Sequence, residues 1–228
     1  MGLRPLDLRT WLDADPEHPQ QALRRELLRE RRAEVYQALP GTEQSRQTVA
    51  QAVSRWVGTA LPGCDDPLVE AAGLVRDDLC VVTRVDGSWR LVAAVVCFPS
   101  RWRLLDKVGV DVVSIHDPVP RYRERLGDAT GKAFDTAAPR WRVNWTLLED
   151  PELFQPDPPT TTSGPPDQAW YLRVECQCLV PVGDLFAFTI RTDVVALRDL
   201  AAEQRGAVLA SASALSEDLA AYRGWRSR

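Results

Sequence analysis

The chain has 228 residues, a formal net charge of -4 and a sequence pI of about 5.3. Its basic residues are dispersed, which argues against a dedicated nucleic-acid binder. No apolar stretch is long enough to cross a bilayer, and the N-terminal residues lack the apolar segment of a secretory signal. Five cysteines at irregular spacings do not form a disulfide framework, so a reduced, cytoplasmic location is predicted.

The N-terminal part of the chain is predicted to be helical. Residues 17–39 have the spacing of a charged amphipathic helix that ends at Pro40-Gly41. Residues 43–60 predict a second helix, with apolar side chains at three- and four-residue steps. Together they are predicted to form an N-terminal helical layer that packs against the rest of the chain.

A β-hairpin is predicted directly after this layer. The apolar runs 79–85 and 89–97 flank an Asp-Gly-Ser turn at 86–88, and an Asp-Gly turn between apolar runs is a strong hairpin signal. The residues that follow, up to about Ala138, combine helical spacing with interrupting prolines. They predict a helical connection.

Three further strands and a helix complete the predicted order. Residues 141–148 alternate like a strand, and 154–168 form a loop rich in Pro and Thr. A second hairpin pairs 170–180 with 184–194. The remaining residues have helical spacing.

This order of elements predicts an α+β fold. Five strands with a helical connection after the second are typical of a PAS-like antiparallel sheet, in which sheet and connection enclose a cavity, here flanked by N- and C-terminal helices. The predicted boundaries are 1–66 for the N-terminal helical layer, 67–195 for the PAS-like core and 196–228 for the C-terminal helix, all within one compact domain. The pattern predicts a cavity but not its chemistry.

Few sequence motifs point to chemistry. The chain has no phosphate-binding glycine loop, no metalloprotease helix and no nucleophile elbow. Cys176 and Cys178 form a C-x-C pair without the second pair that a zinc or iron–sulfur site needs, so they are interpreted as buried thiols. Two histidines cannot make a His-rich metal site, and His18 is interpreted as a surface residue.

The other histidine, His116, lies in the predicted connection, in a segment rich in Trp, Arg, Asp and Pro. A single histidine in a loop is most often a hydrogen-bonded structural residue. One imidazole is nevertheless all that a haem iron requires from a protein. The same segment and the last hairpin offer apolar walls and cations for the propionates: Phe98, Trp102, Val112, Val113, Ile115, Arg101, Arg103, Arg121 and Arg191. The residues alone leave both interpretations open.

Several sequence blocks, taken in order, carry a family resemblance. PSRWRLLDKVG, SIHDPVP, WRVNWTLLEDPELF, LRVECQCL and FTIRT resemble the haem-dependent oxidative N-demethylase family. LRPLDLRTWLDAD, ALPGTEQ and the late LAAYRGW fit the same pattern, so the resemblance runs from Leu3 to about Trp225.

The resemblance implies haem b (iron) in the PAS-like cavity and an oxidoreductase activity. A monooxygenase of this family oxidises an N-methyl group of a small, dimethylamine-like amine with O2, giving formaldehyde and the demethylated amine. Electrons would come from NADPH through flavin and iron–sulfur centres on a reductase partner in trans.

The resemblance also implies roles for individual residues. His116 in SIHDPVP is the candidate axial ligand, and Arg101 in PSRW and Arg191 in FTIRT are candidates for propionate pairing. Glu175 in LRVECQCL is the candidate catalytic residue, which would hold an alkylammonium group or relay protons. Ordinary salt bridges for the arginines, and an ion-paired strand position for Glu175, remain the alternatives. The predicted pocket residues are Trp102, Asn144 and Trp145.

Two other functions fit the same pattern. One is a PAS-like sensor that binds haem or another small ligand without catalysis, and the other is a PAS-like interaction protein without a cofactor. The chain also departs from the family at Cys176 and Cys178, where Arg and Thr-like residues are usual, and at Asp193, where an aromatic residue is common. These departures leave the substrate open.

Overall fold

A computed structural model of the chain describes residues 2–158 and 163–226. The described residues form a seven-stranded antiparallel sheet with helices packed against it, which confirms the predicted α+β class. The strands are β1 (Arg4–Pro5), β2 (Tyr36–Ala38), β3 (Asp78–Val85), β4 (Ser88–Val95), β5 (Arg140–Leu148), β6 (Tyr171–Val182) and β7 (Leu185–Ala196), in the spatial order β1-β5-β6-β7-β3-β4-β2.

The helices lie before, between and after the main strands. They are α1 (Pro19–Glu30), α2 (Arg32–Val35), α3 (Glu43–Val57), α4 (Pro67–Ala72), α5 (Tyr122–Asp135), α6 (Ala202–Ser213) and α7 (Glu217–Tyr222). Within the described ranges, none of these helices is long and apolar enough to span a bilayer. Residues 159–162 of the predicted loop and residues 227–228 at the C-terminus lie outside the described residues.

Both predicted hairpins are confirmed. In the β3–β4 turn, Asp86 and Gly87 both have positive φ values of 50° and 80°, the geometry that Asp-Gly favours in a two-residue turn. In the β6–β7 turn, Gly183 supplies the positive φ, at 62°. The long β6–β7 ladder runs without a register shift from Tyr171 to Val182, which fixes which side chains share a face.

The N-terminal part differs from the prediction. The first predicted helix ends at Glu30 instead of continuing to residue 39, and Tyr36–Ala38 form β2 at the edge of β4. Pairing with the open edge of β4 satisfies the backbone groups of these residues, an influence that local spacing does not reveal. At the start of the helix, the Nδ1 atom of His18 accepts the N–H of Gln20 at 3.3 Å and caps α1, so His18 is a half-buried cap and not a free surface residue.

The sheet is covered on both faces. On one face α1, α3 and α4 bury a large core that includes Val49, Val53, Leu68, Val81 and Val95. On the other face, residues 97–139 cover β3 and β4 with a second core that includes Val82, Leu91, Leu104, Val112 and Phe134. A third core under the C-terminal helices contains Leu147, Trp170, Leu197, Ala220 and Trp225. The connection, the sheet and α7 leave a cavity between them.

Candidate functional site

The cavity has a volume of about 550 Å³, within the range of roughly 300–1,000 Å³ that is usual for ligand and cofactor sites. Its apolar lining includes Cys80, Val82, Leu91, Val112, Phe134, Leu179 and Phe188. Its polar lining includes Arg101, Lys107, His116, Arg142, Asn144, Glu175, Gln177 and Arg223. A shallower groove of about 380 Å³, beside Trp11 and Trp56, contains none of the predicted site residues.

His116 ends a short 3₁₀ helix, Ser114–His116, in the wall of the cavity. The carboxylate of Asp111 accepts the N–H groups of Val113 and Ser114, each at 3.0 Å, which fixes this turn. The N–H of Val112 donates to the carbonyl of Trp89 at 2.9 Å and attaches the turn to β4.

The imidazole of His116 is held in one orientation. Its Nδ1 lies 2.8 Å from the carbonyl oxygen of Val112, so Nδ1 carries the proton and donates it, and Nε2 keeps its lone pair. The ring stacks on Tyr122 with centroids 4.3 Å apart and planes 7° from parallel. Burial lowers the pKa of His116 to about 4, and the charges of Arg142 and Lys107 act in the same direction. The imidazole is therefore neutral at pH 7, the form that binds metals.

Glu175 lies in the cavity floor, within a network of hydrogen bonds. Its carboxylate accepts from Nε of Arg173 at 3.2 Å, from Nε2 of Gln177 at 2.9 Å and from Nδ2 of Asn144 at 3.4 Å. The Arg173 side chain is fully buried, and it also donates to the backbone carbonyls of Phe98 and Leu153. Arg173 thus compensates the charge of Glu175 and ties the floor to the connection.

Two arginines, Arg101 and Arg223, lie in the cavity wall formed by the connection and the end of α7. Nη1 of Arg101 donates to the backbone carbonyl of Arg223. The guanidinium carbon of Arg223 lies 5.0 Å from the ring centroid of Trp145. Burial lowers the pKa of both arginines, and Nη1 of Arg223 is buried without a hydrogen-bond partner in the described part of the chain.

The structure brings most of the predicted site residues together around this cavity: His116, Arg101, Trp102, Asn144, Trp145 and Glu175. Arg191 is not among them. Phe188 and Ile190 of β7 line the cavity, so alternation places Arg191 on the opposite face of the sheet, directly across from Cys176. The hydrogen bond with Cys178 lowers the pKa of Cys176, and the charge of Arg191 acts in the same direction. Arg191 is not part of the cavity lining.

Sequence reasoning missed several lining residues. Strand alternation could have predicted Arg142 and Gln177. Arg142 lies two positions from Asn144 on β5, and Gln177 lies two positions from Glu175 on β6, so each shares a face with a predicted residue. Arg223 carried no such signal, since only the tertiary structure brings the end of α7 to the cavity.

No group of three or more His, Cys, Asp and Glu side chains in residues 2–158 and 163–226 could hold a bare metal ion. A single neutral imidazole in an apolar cavity can hold a metal that brings its other ligands with it.

Comparison with protein-family models gives a match. The family model described as "Haem-dependent oxidative N-demethylase, alpha subunit-like" matches residues 50–227, most of the chain and all the cavity-lining strands. No curated protein matches the chain. The family resemblance of the sequence blocks is confirmed, with the matched region beginning after the N-terminal blocks.

Proposed function

The chain belongs to the haem-dependent oxidative N-demethylase, alpha subunit-like family, and we propose that it is the haem-binding subunit of a monooxygenase that acts on a small N-methyl amine. The overall reaction would convert an N-methyl amine, O2, two electrons and two protons into the demethylated amine, formaldehyde and water. The family description supports haem dependence and N-demethylation, and dimethylamine-like substrates are the proposed extension.

The proposal rests chiefly on His116. Its imidazole is neutral, its Nδ1–H is held by the carbonyl of Val112, and its ring is stacked on Tyr122 in the wall of the cavity. Nδ1–H donation to a carbonyl is the usual arrangement for a histidine that binds metal through Nε2. The apolar lining and the unpaired buried donor of Arg223 fit a macrocycle that carries carboxylates. The residues present therefore fit haem b.

The arrangement of the sheet supports a PAS-like architecture. The long strands β3 to β7 are interrupted by the helical connection after the second of them, and connection and sheet enclose the cavity. The core beneath the sheet includes residues from both sides of the proposed 66/67 boundary, which supports one compact domain with 1–66, 67–195 and 196–228 as its parts.

When bound, the haem would supply the redox chemistry with O2. The chain's own residues would hold and orient the reactants. His116 would bind the iron, Arg101 would pair with a propionate, and Trp102 and Trp145 would pack against bound groups. Glu175, fixed by Asn144 and Gln177, would accept a hydrogen bond from the substrate amine or carry a proton. Glu175 is thus proposed as the catalytic residue.

Electrons must come from another protein under this proposal. The description "alpha subunit-like" implies other subunits, and a reductase that passes electrons from NADPH through flavin and iron–sulfur centres would fit.

The test is a hemin titration of the purified apo-protein, followed by assays with a reductase. The proposal expects a saturable Soret band at one hemin per chain that shifts on reduction with dithionite and again with carbon monoxide. With NADPH and the reductase, formaldehyde should form from dimethylamine. Absence of saturable hemin binding would contradict the proposal. Haem binding without any amine oxidation would leave the sensor function in its place.

A further inference from the structure

Arg223 lies in the cavity wall and is held there by its surroundings. It directly follows α7, and the neighbouring Trp225 is fully buried against Trp170, with ring centroids 6.2 Å apart. The guanidinium carbon lies 5.0 Å from the ring centroid of Trp145. The first contact anchors the backbone next to Arg223 and the second restricts its side chain, so Arg223 is a fixed part of the cavity wall.

The guanidinium of Arg223 has a donor atom without a hydrogen-bond partner in the described part of the chain. Nη1 is buried and has no hydrogen-bond partner within residues 2–158 and 163–226. Arginine stays protonated in proteins, and a buried donor without an acceptor is unfavourable, more so when it is charged. Such a group in a cavity wall is explained most simply by a ligand that brings the acceptor.

Glu175 is the cavity carboxylate whose charge acts on Arg223, and its hydrogen bonds in the described part of the chain are made by other residues. Its carboxylate accepts from Arg173, Asn144 and Gln177. Glu175 is therefore the ion-pair partner of Arg173, and within residues 2–158 and 163–226 it makes no hydrogen bond to Nη1 of Arg223.

A second cation lies beside Arg223. Arg101 donates from Nη1 to the Arg223 carbonyl, and its backbone has a positive φ of 62°. Its N–H donates to the carbonyl of Gln155 at 2.6 Å, which holds this unusual conformation in place. The exposed acids Glu149 and Asp150 act on Arg101 from outside the cavity lining. The side chain of Arg101 thus lies against the backbone of Arg223, and both residues line the cavity.

We propose that Arg223, with Arg101 beside it, binds a carboxylate group of a ligand in this cavity. A planar guanidinium matches a carboxylate in shape and charge, and two of them can bind it from two sides. The carboxylate has two possible sources: a haem propionate, or the carboxylate of an N-methyl amino acid substrate. The second source would make the substrate an amino acid with an N-methyl group instead of a simple alkylamine. The assignment of the source rests on the proposed function, whereas the carboxylate site does not.

The experiment uses two matched pairs of probes that differ in a free carboxylate. Hemin and hemin dimethyl ester are titrated into the apo-protein and followed by the Soret band. N-methylglycine and dimethylamine are titrated by calorimetry into the apo-protein and the haem-loaded protein. The proteins are wild type, Arg223→Gln, Arg223→Lys and the control Arg198→Gln, whose side chain is exposed and outside the cavity lining. Thermal unfolding verifies the fold of each.

The proposal expects wild type to prefer the carboxylate-bearing member of at least one pair. Arg223→Gln should lose that preference, by roughly ten- to hundredfold in Kd, as expected for a charge-assisted hydrogen bond. Arg223→Lys should retain part of it, and Arg198→Gln all of it. Loss of preference in the hemin pair assigns the site to a propionate, and loss in the amine pair assigns it to the substrate.

Two results would overturn the carboxylate site. One is equal affinity of wild type for both members of each pair, a comparison that needs no variant to fold. The other is a folded Arg223→Gln protein that keeps the wild-type preferences. If neither hemin nor its ester binds, the proposed function fails separately. The carboxylate site is then decided by N-methylglycine binding to the apo-protein. Binding that is lost in Arg223→Gln supports the site. Binding that is retained in this variant, or no binding of N-methylglycine to wild type, overturns it.

Discussion

Both faces of β6 are covered by other parts of the chain, but the two faces carry different polar side chains. On the cavity face, Arg173, Glu175 and Gln177 form a hydrogen-bonded network beside open volume. On the opposite face, Sγ of Cys178 donates to the carbonyl of Trp11 at 3.9 Å, and the half-buried Cys176 packs against the core and lies across from Arg191. The polar network of β6 therefore lies where a ligand can enter, and the two thiols of β6 lie where the core is closed. Changes on the two faces should have different effects.

The largest difference is expected in turnover. Glu175→Gln keeps the size of the side chain and removes the carboxylate, so haem uptake should persist while N-demethylation falls by about 10²- to 10⁴-fold, the usual contribution of a general acid or base. The matched change on the other face, Cys176→Ser, should leave turnover within about twofold, the scale of a substitution away from the reacting groups. Formaldehyde release under reductase-coupled conditions measures both, and equal losses in the two variants would remove Glu175 from catalysis.

The next largest effect is expected from the buried cation of the floor. Arg173→Met leaves the Glu175 carboxylate without its ion-pair partner, and breaking a buried pair on one side typically lowers the free energy of unfolding by about 3–5 kcal/mol. Urea denaturation of the apo-protein measures the loss. The double variant Arg173→Met/Glu175→Gln should regain part of the stability, because no uncompensated charge then remains. A double variant no more stable than Arg173→Met would refute this coupling.

A smaller effect is expected in the closed core. Cys178 is almost fully buried, and Cys178→Ala removes one buried sulfur, so the free energy of unfolding should fall by about 1 kcal/mol. The Soret spectrum of the haem-loaded variant should match wild type, since Cys178 faces away from the cavity. A shifted spectrum would show that the two faces are coupled.

The smallest effect is expected in how the free energy of unfolding depends on pH, through a carboxyl group on the closed face. Asp77 lies on the closed face, near Asp13, Arg24 and Arg191, and burial raises the pKa of its carboxyl from 3.8 to about 6. The native state therefore binds this proton more tightly than the unfolded state. Its stabilising contribution is present below pH 4 and is lost as the pH rises through about 6.

Asp77→Asn removes this titration and keeps an oxygen that can accept the N–H of Asp13. The difference in unfolding free energy between variant and wild type should therefore grow in favour of the variant between pH 4 and pH 6. A pH series of urea denaturation curves measures it, and a difference that is constant across this window would contradict the raised pKa.

Local patterns predicted the parts of the fold that depend on local rules. The Asp86-Gly87 turn and the alternation of β6 gave both hairpins, and alternation separated Glu175 from Cys176 correctly. The sequence pattern did not reveal which face of β6 lines the cavity. The polar face of β6 resembles a solvent-exposed face in sequence, and only the connection that covers it makes it a cavity floor.

The remaining differences arise from long-range packing. Tyr36–Ala38 form a strand because the edge of β4 is available. Arg223 reaches the cavity because Trp225 anchors α7 near β5. The FTIRT block predicts Arg191 as a propionate-pairing cation, but Arg191 alternates with Phe188 and Ile190 of β7, whose side chains line the cavity, and therefore lies on the opposite face.

The most direct test of the central claim compares the two histidines. In His116→Gly, hemin should no longer bind tightly or give the wild-type Soret band, and added imidazole should restore the spectrum by replacing the missing ligand. In His18→Asn, which keeps a side chain able to cap α1, binding and spectrum should match wild type. A His116→Gly protein that binds hemin with an unchanged spectrum, without imidazole, would contradict the assignment of His116 as the iron ligand.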